Sequence, residues 1–313
     1  MAVIVGTSGW SYPTGRGTWN GIFYPAPRPA GFDDLAFYAD HFDTVEVNST
    51  FYRVPEPALS LGWLRRTPAT FEFSVKLYQK FTHPDMYLKR QGASAWDVTR
   101  GDLDQFRAGI EPLVQAGRLA ALLVQFPASF TADSDTHAYL DWLAGSLADY
   151  PLAVELRHKS WSDAAPATQA LLDRHRAAWV IIDEPKFASS IRQDLEKAKG
   201  LVPGSQEPRS RLEYFRLHGR NAAQWWDHEE SDDRYNYLYP ATELAPFAAA
   251  AQAAAARRKV LMYMNNHFSA KAVANAAVLR HQLGESVPGE YPREMVNRYP
   301  DLAGIVRPSG LPI

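Results

Sequence analysis

Residues 45–48 read Val45-Glu46-Val47-Asn48, a stretch that alternates apolar and polar side chains at the end of a predicted strand. The same ending recurs at Phe73-Ser74-Val75-Lys76, Val154-Glu155-Leu156-Arg157, Phe215-Arg216-Leu217-His218 and Met262-Tyr263-Met264-Asn265. Successive strand side chains point to opposite faces, so the polar residues of each stretch share one face. An open parallel sheet covered by helices has no place for a row of buried charges. The mouth of a closed parallel barrel does have such a place.

Short apolar, β-branched runs bounded by turn residues extend this pattern along the chain. They predict eight strands near residues 3–8, 43–48, 71–76, 119–125, 152–157, 179–183, 213–218 and 259–265. Each interval has room for a helix, which predicts parallel strands. We therefore expect an α/β fold of the TIM-type (β/α)₈ barrel class, regular or irregular, as a single domain over residues 1–313.

Two long loops are predicted on the catalytic face of this barrel. They follow the third and seventh predicted strands, at Thr82–Asp102 and Gly219–Tyr239. Loops after barrel strands lie at the C-terminal mouth, so both are expected to roof it.

Composition limits the classes of function. Lys and Arg number 33 against 35 Asp and Glu, which argues against a strongly electrostatic nucleic-acid binder. With 0 Cys, the chain has no disulfides, thiolate catalysis or thiolate metal sites. The sequence has no apolar run near membrane-span length, and its start lacks the pattern of a signal peptide. We expect a cytoplasmic protein without a membrane partner; the sequence does not predict an oligomeric state.

Motifs in chain order resemble those of a known family. They are Gly6-Thr7-Ser8-Gly9-Trp10-Ser11-Tyr12, Phe23-Tyr24-Pro25, Val45-Glu46-Val47-Asn48-Ser49-Thr50-Phe51-Tyr52, Phe73-Ser74-Val75-Lys76, Phe81-Thr82-His83, Gln125-Phe126-Pro127, Val154-Glu155-Leu156-Arg157, Ser160-Trp161, Arg216-Leu217-His218-Gly219-Arg220 and Asn265-Asn266. This set resembles the YecE-like proteins, the family of unknown function numbered seventy-two. The resemblance implies a TIM-barrel-type fold and carries no established reaction. Asn266-His267-Phe268-Ser269 departs from the family pattern, in which an acidic residue and a glycine are common.

Charged residues at the strand ends form the main candidate site. Glu46 and Glu155 are predicted to act as general acid and base, with His218 assisting proton transfer. Arg157 and Arg216 are expected to hold an anionic group of the substrate, with Lys76 as an added point charge. The alternative is a salt-bridge lattice that only fills the top of the barrel.

Asp183, at the end of the sixth predicted strand, is a further catalytic candidate. It would orient His218 or a substrate hydroxyl; equally, it would cap the following turn. The strand-end residues Asn48, Gln125 and Tyr263 are predicted to contact substrate.

The last predicted βα unit suggests an anion site. Asn265 and Asn266 precede a helix for which Ser269 is the predicted N-cap, and barrel phosphate sites often use this position. Ordinary helix capping by Ser269 is the alternative reading.

Aromatic residues in the loops are the remaining substrate-binding candidates. Trp10 and Trp226 would stack on a sugar ring or a base. They would equally well pack as a hydrophobic lid on the barrel rim.

The sequence shows no cofactor motif and no spacing typical of a transition-metal site. Glu46, Glu155 and Asp183 could hold Mg²⁺ with water, but the neighbouring Arg and Lys oppose it. The first hypothesis is an enzyme (a hydrolase, lyase or isomerase) acting by acid/base chemistry on a small anionic substrate, such as a phosphosugar or nucleotide-like compound. The second is a nucleic-acid-binding or processing barrel, which is less favoured, and the third is a non-catalytic metabolite-binding protein.

Overall fold

Nine parallel strands form the main sheet in the computed structural model, which describes residues 3–92, 97–195 and 209–309. In chain order they are β1 (Val3–Ser8), β2 (Thr44–Val47), β3 (Glu72–Lys76), β4 (Leu119–Gln125), β5 (Leu152–Glu155), β6 (Ala178–Trp179), β7 (Ile181–Asp183), β8 (Leu212–Leu217) and β9 (Lys259–Met264). Their spatial order is β6-β5-β4-β3-β2-β1-β9-β8-β7. All predicted strands are found near their predicted positions, and the sixth is divided into β6 and β7.

Val180 interrupts the sixth predicted strand, and the two pieces form the two edges of the sheet. β6 pairs with β5, whereas β7 pairs with β8. The Val180 N–H donates to the Val154 carbonyl at 2.9 Å. One short chain segment thus contacts both edges and brings the sheet nearly to closure. The predicted TIM-type α/β barrel is confirmed, with this irregularity.

Helices follow the strands and pack on the barrel. They are α1 (Asp34–Ala39), α2 (Ser49–Tyr52), α3 (Pro57–Arg65), α4 (Pro84–Gln91), α5 (Arg100–Gln115), α6 (Ser134–Ser146), α7 (Lys159–Asp163), α8 (Ala165–Arg174), α9 (Ala241–Ala255), α10 (Lys271–Gln282) and α11 (Arg293–Arg298). Short 3₁₀ turns lie at Gln79–Phe81, Ser231–Tyr235, Phe268–Ala270 and Pro300–Leu302, and β10 (Glu290–Tyr291) pairs with β11 (Arg307–Pro308). In the parts of the chain that the structure describes, no helix has the length and apolar character needed to cross a membrane.

Strand register sorts the side chains into an inner and an outer set. Glu46 is in register with Ser74, and Arg216 with Tyr263. The Tyr263 hydroxyl lies 2.7 Å from Thr44 Oγ1 and 2.9 Å from Ser74 Oγ. These three hydroxyls satisfy one another in the buried interior, below the charged residues of the mouth. The predicted substrate-binding residue Tyr263 is thus fully buried in this structure.

Helix α5 approaches the chain before α3 closely at Gly109. A Cβ atom at this position would lie 2.0 Å from the carbonyl oxygen of Pro55. The Ser60 hydroxyl of α3 donates to the Gly109 carbonyl at 2.6 Å. Gly62, in α3 itself, has open space, since the nearest atom to its Cβ would be a flexible Arg65 nitrogen at 3.8 Å.

Gly109→Ala should therefore lower the free energy of unfolding by about 1–3 kcal/mol, since the added methyl group overpacks a rigid contact. Gly62→Ala is the matched control and should raise it by up to about 1 kcal/mol, because alanine favours a helix. Urea unfolding of both variants and the wild type measures the two effects. Equal effects at both positions would contradict the close approach at Gly109.

Candidate functional site

Arg216 is the centre of a buried charge network at the mouth of the barrel. Its Nε and Nη2 donate to the two carboxylate oxygens of Glu46 at 2.9 and 2.8 Å, and its Nη1 donates to Glu155 at 2.5 Å. The Tyr214 hydroxyl donates to Glu46 at 2.7 Å. Glu46 and Glu155 are 0% exposed and Arg216 is 2% exposed. The two predicted acid/base carboxylates are thus joined through one arginine and shielded from solvent.

Glu155 also fixes the position of Arg157. Arg157 Nε donates to Glu155 at 2.7 Å, and Arg157 Nη1 lies 3.4 Å from Glu184. Burial raises the pKa of Glu155, but Arg216 and Arg157 outweigh burial and hold that pKa well below its usual range. Glu155 is therefore ionised at neutral pH and is a weak proton acceptor.

His218 is a neutral side chain inside the same network. Burial lowers the pKa of His218 well below its usual value, and Arg157 and Arg216 lower it further. Its Nε2 lies 3.3 Å from Arg157 Nη2, and its Nδ1 lies 2.7 Å from the Asn265 amide. The Asn265 atom that faces Nδ1 is the amide nitrogen, which can only donate, as can the arginine. Both ring nitrogens of the neutral His218 thus face N–H donors, and one of the two accepts.

Lys76 differs from the arginines because no carboxylate among the described residues pairs with it. Its half-buried side chain places Nζ 4.0 Å from the centre of the Phe51 ring. The Thr50 hydroxyl donates to the Lys76 carbonyl at 2.6 Å and so fixes the end of β3. The pKa of Lys76 is lowered to about 7. Burial is the main cause, Arg216 adds to it, and Glu155 opposes the change. Ammonium and amine are therefore both present in quantity near neutral pH.

His83 lies at the rim of the mouth beside Gln125, and the sequence analysis did not include it in the site. Its Nε2 is 3.4 Å from Gln125 Nε2, and its ring meets Phe51 edge-on at 4.8 Å. Burial lowers the pKa of His83 to about 3, and Lys76 contributes to the decrease. Asn48 is half-buried at the same rim, and its Oδ1 has no hydrogen-bond partner.

The sixth predicted strand presents Glu184, rather than Asp183, to the interior. Ile182 is in register with inward-facing Arg216, whereas Asp183 is in register with Leu217 on the outer side. The Asp183 carboxylate accepts hydrogen bonds from Arg220 at 2.8 and 3.0 Å and from Tyr239 at 2.7 Å. The expected contact of the Asp183 carboxylate with the His218 ring is therefore wrong, and the two residues meet through the backbone, where the His218 N–H donates to the Asp183 carbonyl at 2.8 Å.

Glu184 is a functional candidate that the sequence analysis missed. Continuing the alternation of Val180 and Ile182 by one step would have placed it on the inner face. Burial raises the pKa of Glu184, and Arg157 only partly offsets this effect. Its Oε2 is buried without a hydrogen-bond partner, although Arg157 lies 3.4 Å away.

Asn266 connects the last strand to the loop after β8. Its Nδ2 donates to the Tyr237 carbonyl at 2.8 Å and to Asn275 Oδ1 at 2.7 Å. The prediction that Ser269 caps the following helix is wrong. Ser269 has a φ of 54° within a 3₁₀ turn, and α10 begins at Lys271 without a side-chain cap. The Ser269 N–H donates to the Gly17 carbonyl at 2.9 Å, so this helix start is covered by the loop after β1.

An aromatic stack joins three loops of the mouth. The His267 ring is stacked on Tyr12 at 4.3 Å and lies 4.9 Å from Tyr235. These residues follow β9, β1 and β8 respectively. Asp232 lies 3.5 Å from His267 Nε2. The loop after β8 thus contacts both neighbouring loops. The two aromatic residues predicted to bind substrate, Trp10 and Trp226, lie outside this stack.

Trp10 and Trp226 have different surroundings. Trp10 is half-buried and meets Trp63 of α3 edge-on at 6.3 Å. Trp226 is 68% exposed and lies 5.6 Å from Phe187. Stacking of either residue on a ligand stays a prediction.

The charged cluster does not have the form of a metal site. Arg216 lies between Glu46 and Glu155, and Asp183 belongs to the outer face. Within residues 3–92, 97–195 and 209–309, no group of three or more His, Cys, Asp or Glu side chains could hold a metal ion.

Burial decides which groups a ligand can reach. Two cavities lie away from the mouth: about 120 Å³ next to α10, and about 450 Å³ at the opposite end of the barrel near the start of β1. The Arg216 network fills the axis below the mouth. Of the predicted and neighbouring side chains at the mouth, Lys76, Asn48 and His83 are half-buried, and the side chain of Arg157 is 16% exposed.

Glu155→Gln should lower the free energy of unfolding by about 3 kcal/mol at pH 7, because it leaves buried arginines partly uncompensated. The pKa of Glu155 is depressed in the folded state. Its stabilising effect is therefore complete above about pH 4.3, the pKa of a glutamate in the unfolded chain, and is lost as the pH falls below that pKa. The difference between variant and wild type should thus shrink below about pH 4. Urea unfolding at pH 7, 5 and 3.5 measures it.

Glu56→Gln is the control for this experiment, because the Glu56 side chain is 72% exposed and pairs with an exposed Arg53. It should change stability by less than about 0.5 kcal/mol. A Glu155→Gln effect as small as that of the control would contradict a network centred on Arg216.

Comparison with known sequences places the chain in a family. The model described as "Protein of unknown function DUF72" matches residues 4–296. The UPF0759 protein YunF of Bacillus subtilis is 27% identical over 304 residues, which cover 94% of this chain and 99% of that protein. The UPF0759 protein YecE of Escherichia coli O157:H7 is 25% identical over 246 residues, covering 71% of this chain and 82% of that protein.

Solved structures of DUF72 family proteins are also similar to this chain. A DUF72 family protein from Thermotoga maritima is 31% identical and has a TM-score of 0.73. The match covers 91% of this chain and 100% of that chain. A DUF72 family protein from Enterococcus faecalis has a TM-score of 0.73, 23% identity and coverage of 93% and 100%, which shows the same fold. The resemblance to YecE-like proteins is thereby confirmed, and the chain belongs to the DUF72 family.

Proposed function

We propose that this protein is an enzyme that acts on a small anionic substrate by acid/base chemistry at the C-terminal mouth of its barrel. The observation that carries the proposal is Lys76, a half-buried cation without a carboxylate partner among the described residues. A cation in a partly desolvated site is unfavourable unless an anion compensates it. A ligand that supplies this anion would bind where barrel enzymes carry out their chemistry.

The buried network would prepare this site without reacting itself. Arg216 is held by Glu46 and Glu155, and Glu155 in turn orients Arg157. Arg157 and Lys76 would bind the anionic group, one as a fixed planar donor and the other as a point charge. Glu46 and Glu155 are therefore proposed as positioning residues, with a phosphosugar or nucleotide-like compound as substrate.

Proton transfer is assigned to two groups with displaced pKa values. The pKa of Lys76 is lowered to about 7 by burial and by Arg216. Burial raises the pKa of Glu184. Environments that move an amine and a carboxyl group toward neutrality are suited to general acid and base roles near pH 7.

Inorganic phosphate and glycerol 3-phosphate should raise the melting temperature of the wild-type protein, since a ligand that binds the folded state stabilises it. Lys76→Met should weaken their binding by about tenfold or more, as expected for one charge-assisted hydrogen bond of roughly 1.4 kcal/mol or more. Lys89→Met, at an exposed position in α4, is the matched control and should bind like the wild type. Thermal shift titrations at constant ionic strength measure all three proteins.

Turnover is then sought by NMR, with a panel of sugar phosphates and nucleoside monophosphates that stabilise the wild type. Stabilisation by no anion, or equal stabilisation of Lys76→Met, would refute the proposed site. Binding without chemical change across the panel would favour a metabolite-binding protein instead. Salt-sensitive binding of a single-stranded oligonucleotide, with no effect of the small anions, would favour the nucleic-acid alternative.

A further inference from the structure

We infer that Lys76 is a nucleophile that forms an imine with the carbonyl carbon of its substrate. The substrate class is then a small anionic carbonyl compound, such as a keto or aldehyde phosphate or a 2-oxo acid. This inference rests on the proposed function, since it assigns a substrate class to the same site.

Charged and titratable groups surround the amine of Lys76. The groups that act on it electrostatically are Glu46, Glu155, Arg157, Arg216, His83 and His218. Both carboxylates already accept hydrogen bonds from Arg216, and Glu155 accepts another from Arg157. Two guanidinium groups repel a further positive charge, and both histidines are neutral at pH 7. Burial is therefore the main cause that favours the uncharged amine, the form that attacks a carbonyl; Arg216 and Arg157 add to its effect, and Glu155 and Glu46 oppose it.

The residue at position 76 is a lysine rather than an arginine. A permanent anion clamp is better served by arginine, which keeps its charge and binds through two donors. Arg157 already supplies a permanent positive charge at the mouth. A lysine with a pKa near 7 is a weak clamp but a competent nucleophile at neutral pH.

The amine of Lys76 also contacts the ring of Phe51. The face of this ring lies 4.0 Å from Nζ and belongs to α2, directly after β2. A protonated imine carries the same single positive charge as the ammonium ion. The ring face that stabilises the ammonium would therefore also stabilise the iminium product.

The covalent step balances without a further reagent. The Nζ lone pair attacks the carbonyl carbon, the C=O π electrons move to oxygen, and a proton passes from nitrogen to that oxygen. The carbinolamine hydroxyl takes up a second proton and leaves as water while the nitrogen lone pair forms the C=N bond. Amine and carbonyl thus give a protonated imine and water when that second proton is supplied by solvent, and hydrolysis reverses the step.

Reductive trapping tests the inference on the wild-type protein. Dihydroxyacetone phosphate and sodium cyanoborohydride are added at pH 7, and the modified lysines are identified by peptide mass spectrometry. Adduct at Lys76 should exceed adduct at exposed Lys89 by at least about tenfold, because an ordinary lysine of pKa about 10.4 is almost fully protonated at this pH. The yield at Lys76 should be half-maximal near pH 7.

Two controls separate the imine from simple anion binding. Glycerol 3-phosphate carries a similar anionic group but no carbonyl, so it should suppress trapping of the ketone and form no adduct itself. Lys76→Arg keeps a positive charge and should retain stabilisation by phosphate, yet it cannot form an imine.

The outcomes distinguish the two proposals. Adduct at Lys76 no greater than at Lys89, with phosphate still stabilising the wild type and Lys76→Arg, would refute the imine and leave the proposed function standing. Adduct concentrated at Lys76 but unaffected by glycerol 3-phosphate, with no stabilisation by phosphate, would support the reactive amine and refute an anionic substrate.

Discussion

The contact of Arg216 with Glu46 and Glu155 is the interaction on which the rest of the mouth depends. Burying an arginine between two carboxylates is favourable only when its donors and their acceptors are satisfied, and here all three arginine nitrogens have partners. The same contact occupies the two acids that would otherwise neutralise Lys76. It also keeps Glu155 ionised, so that Glu155 can orient Arg157. The reactivity proposed for Lys76 thus depends on its burial and, in part, on a contact that Lys76 does not make.

The interior is arranged in layers with different roles. Hydroxyl groups of Thr44, Ser74 and Tyr263 bond to one another at the lowest polar level. The ionic network lies above them, and the half-buried groups of the rim lie at the surface of the mouth. Buried layers whose polar atoms are paired are the support expected of a site that must keep its geometry while a ligand enters and leaves.

Alternation along the strands predicted the barrel and, except in the sixth strand, polar residues that lie on its inner face. It could not show how Arg216 would divide its donors between two carboxylates, because such pairing depends on distances across the barrel. The break at Val180 leaves no clear signal in the sequence, and the prediction named Asp183 without considering Glu184, to which counting every second residue from Val180 leads. Ser269 resembled a helix cap, but a local 3₁₀ turn shifts the helix start to Lys271. In these cases tertiary contacts override a local pattern.

The interrupted strand at Val180 has a consequence for motion. β6 and β7 contain two and three residues, so the barrel wall has few ladder hydrogen bonds along this line. Segments with few such bonds open first in the native state. Glu184 follows β7 directly, and its ion pair with Arg157 spans the same line. Breathing of the wall at this seam would separate that pair and admit water to the buried carboxylate of Glu184.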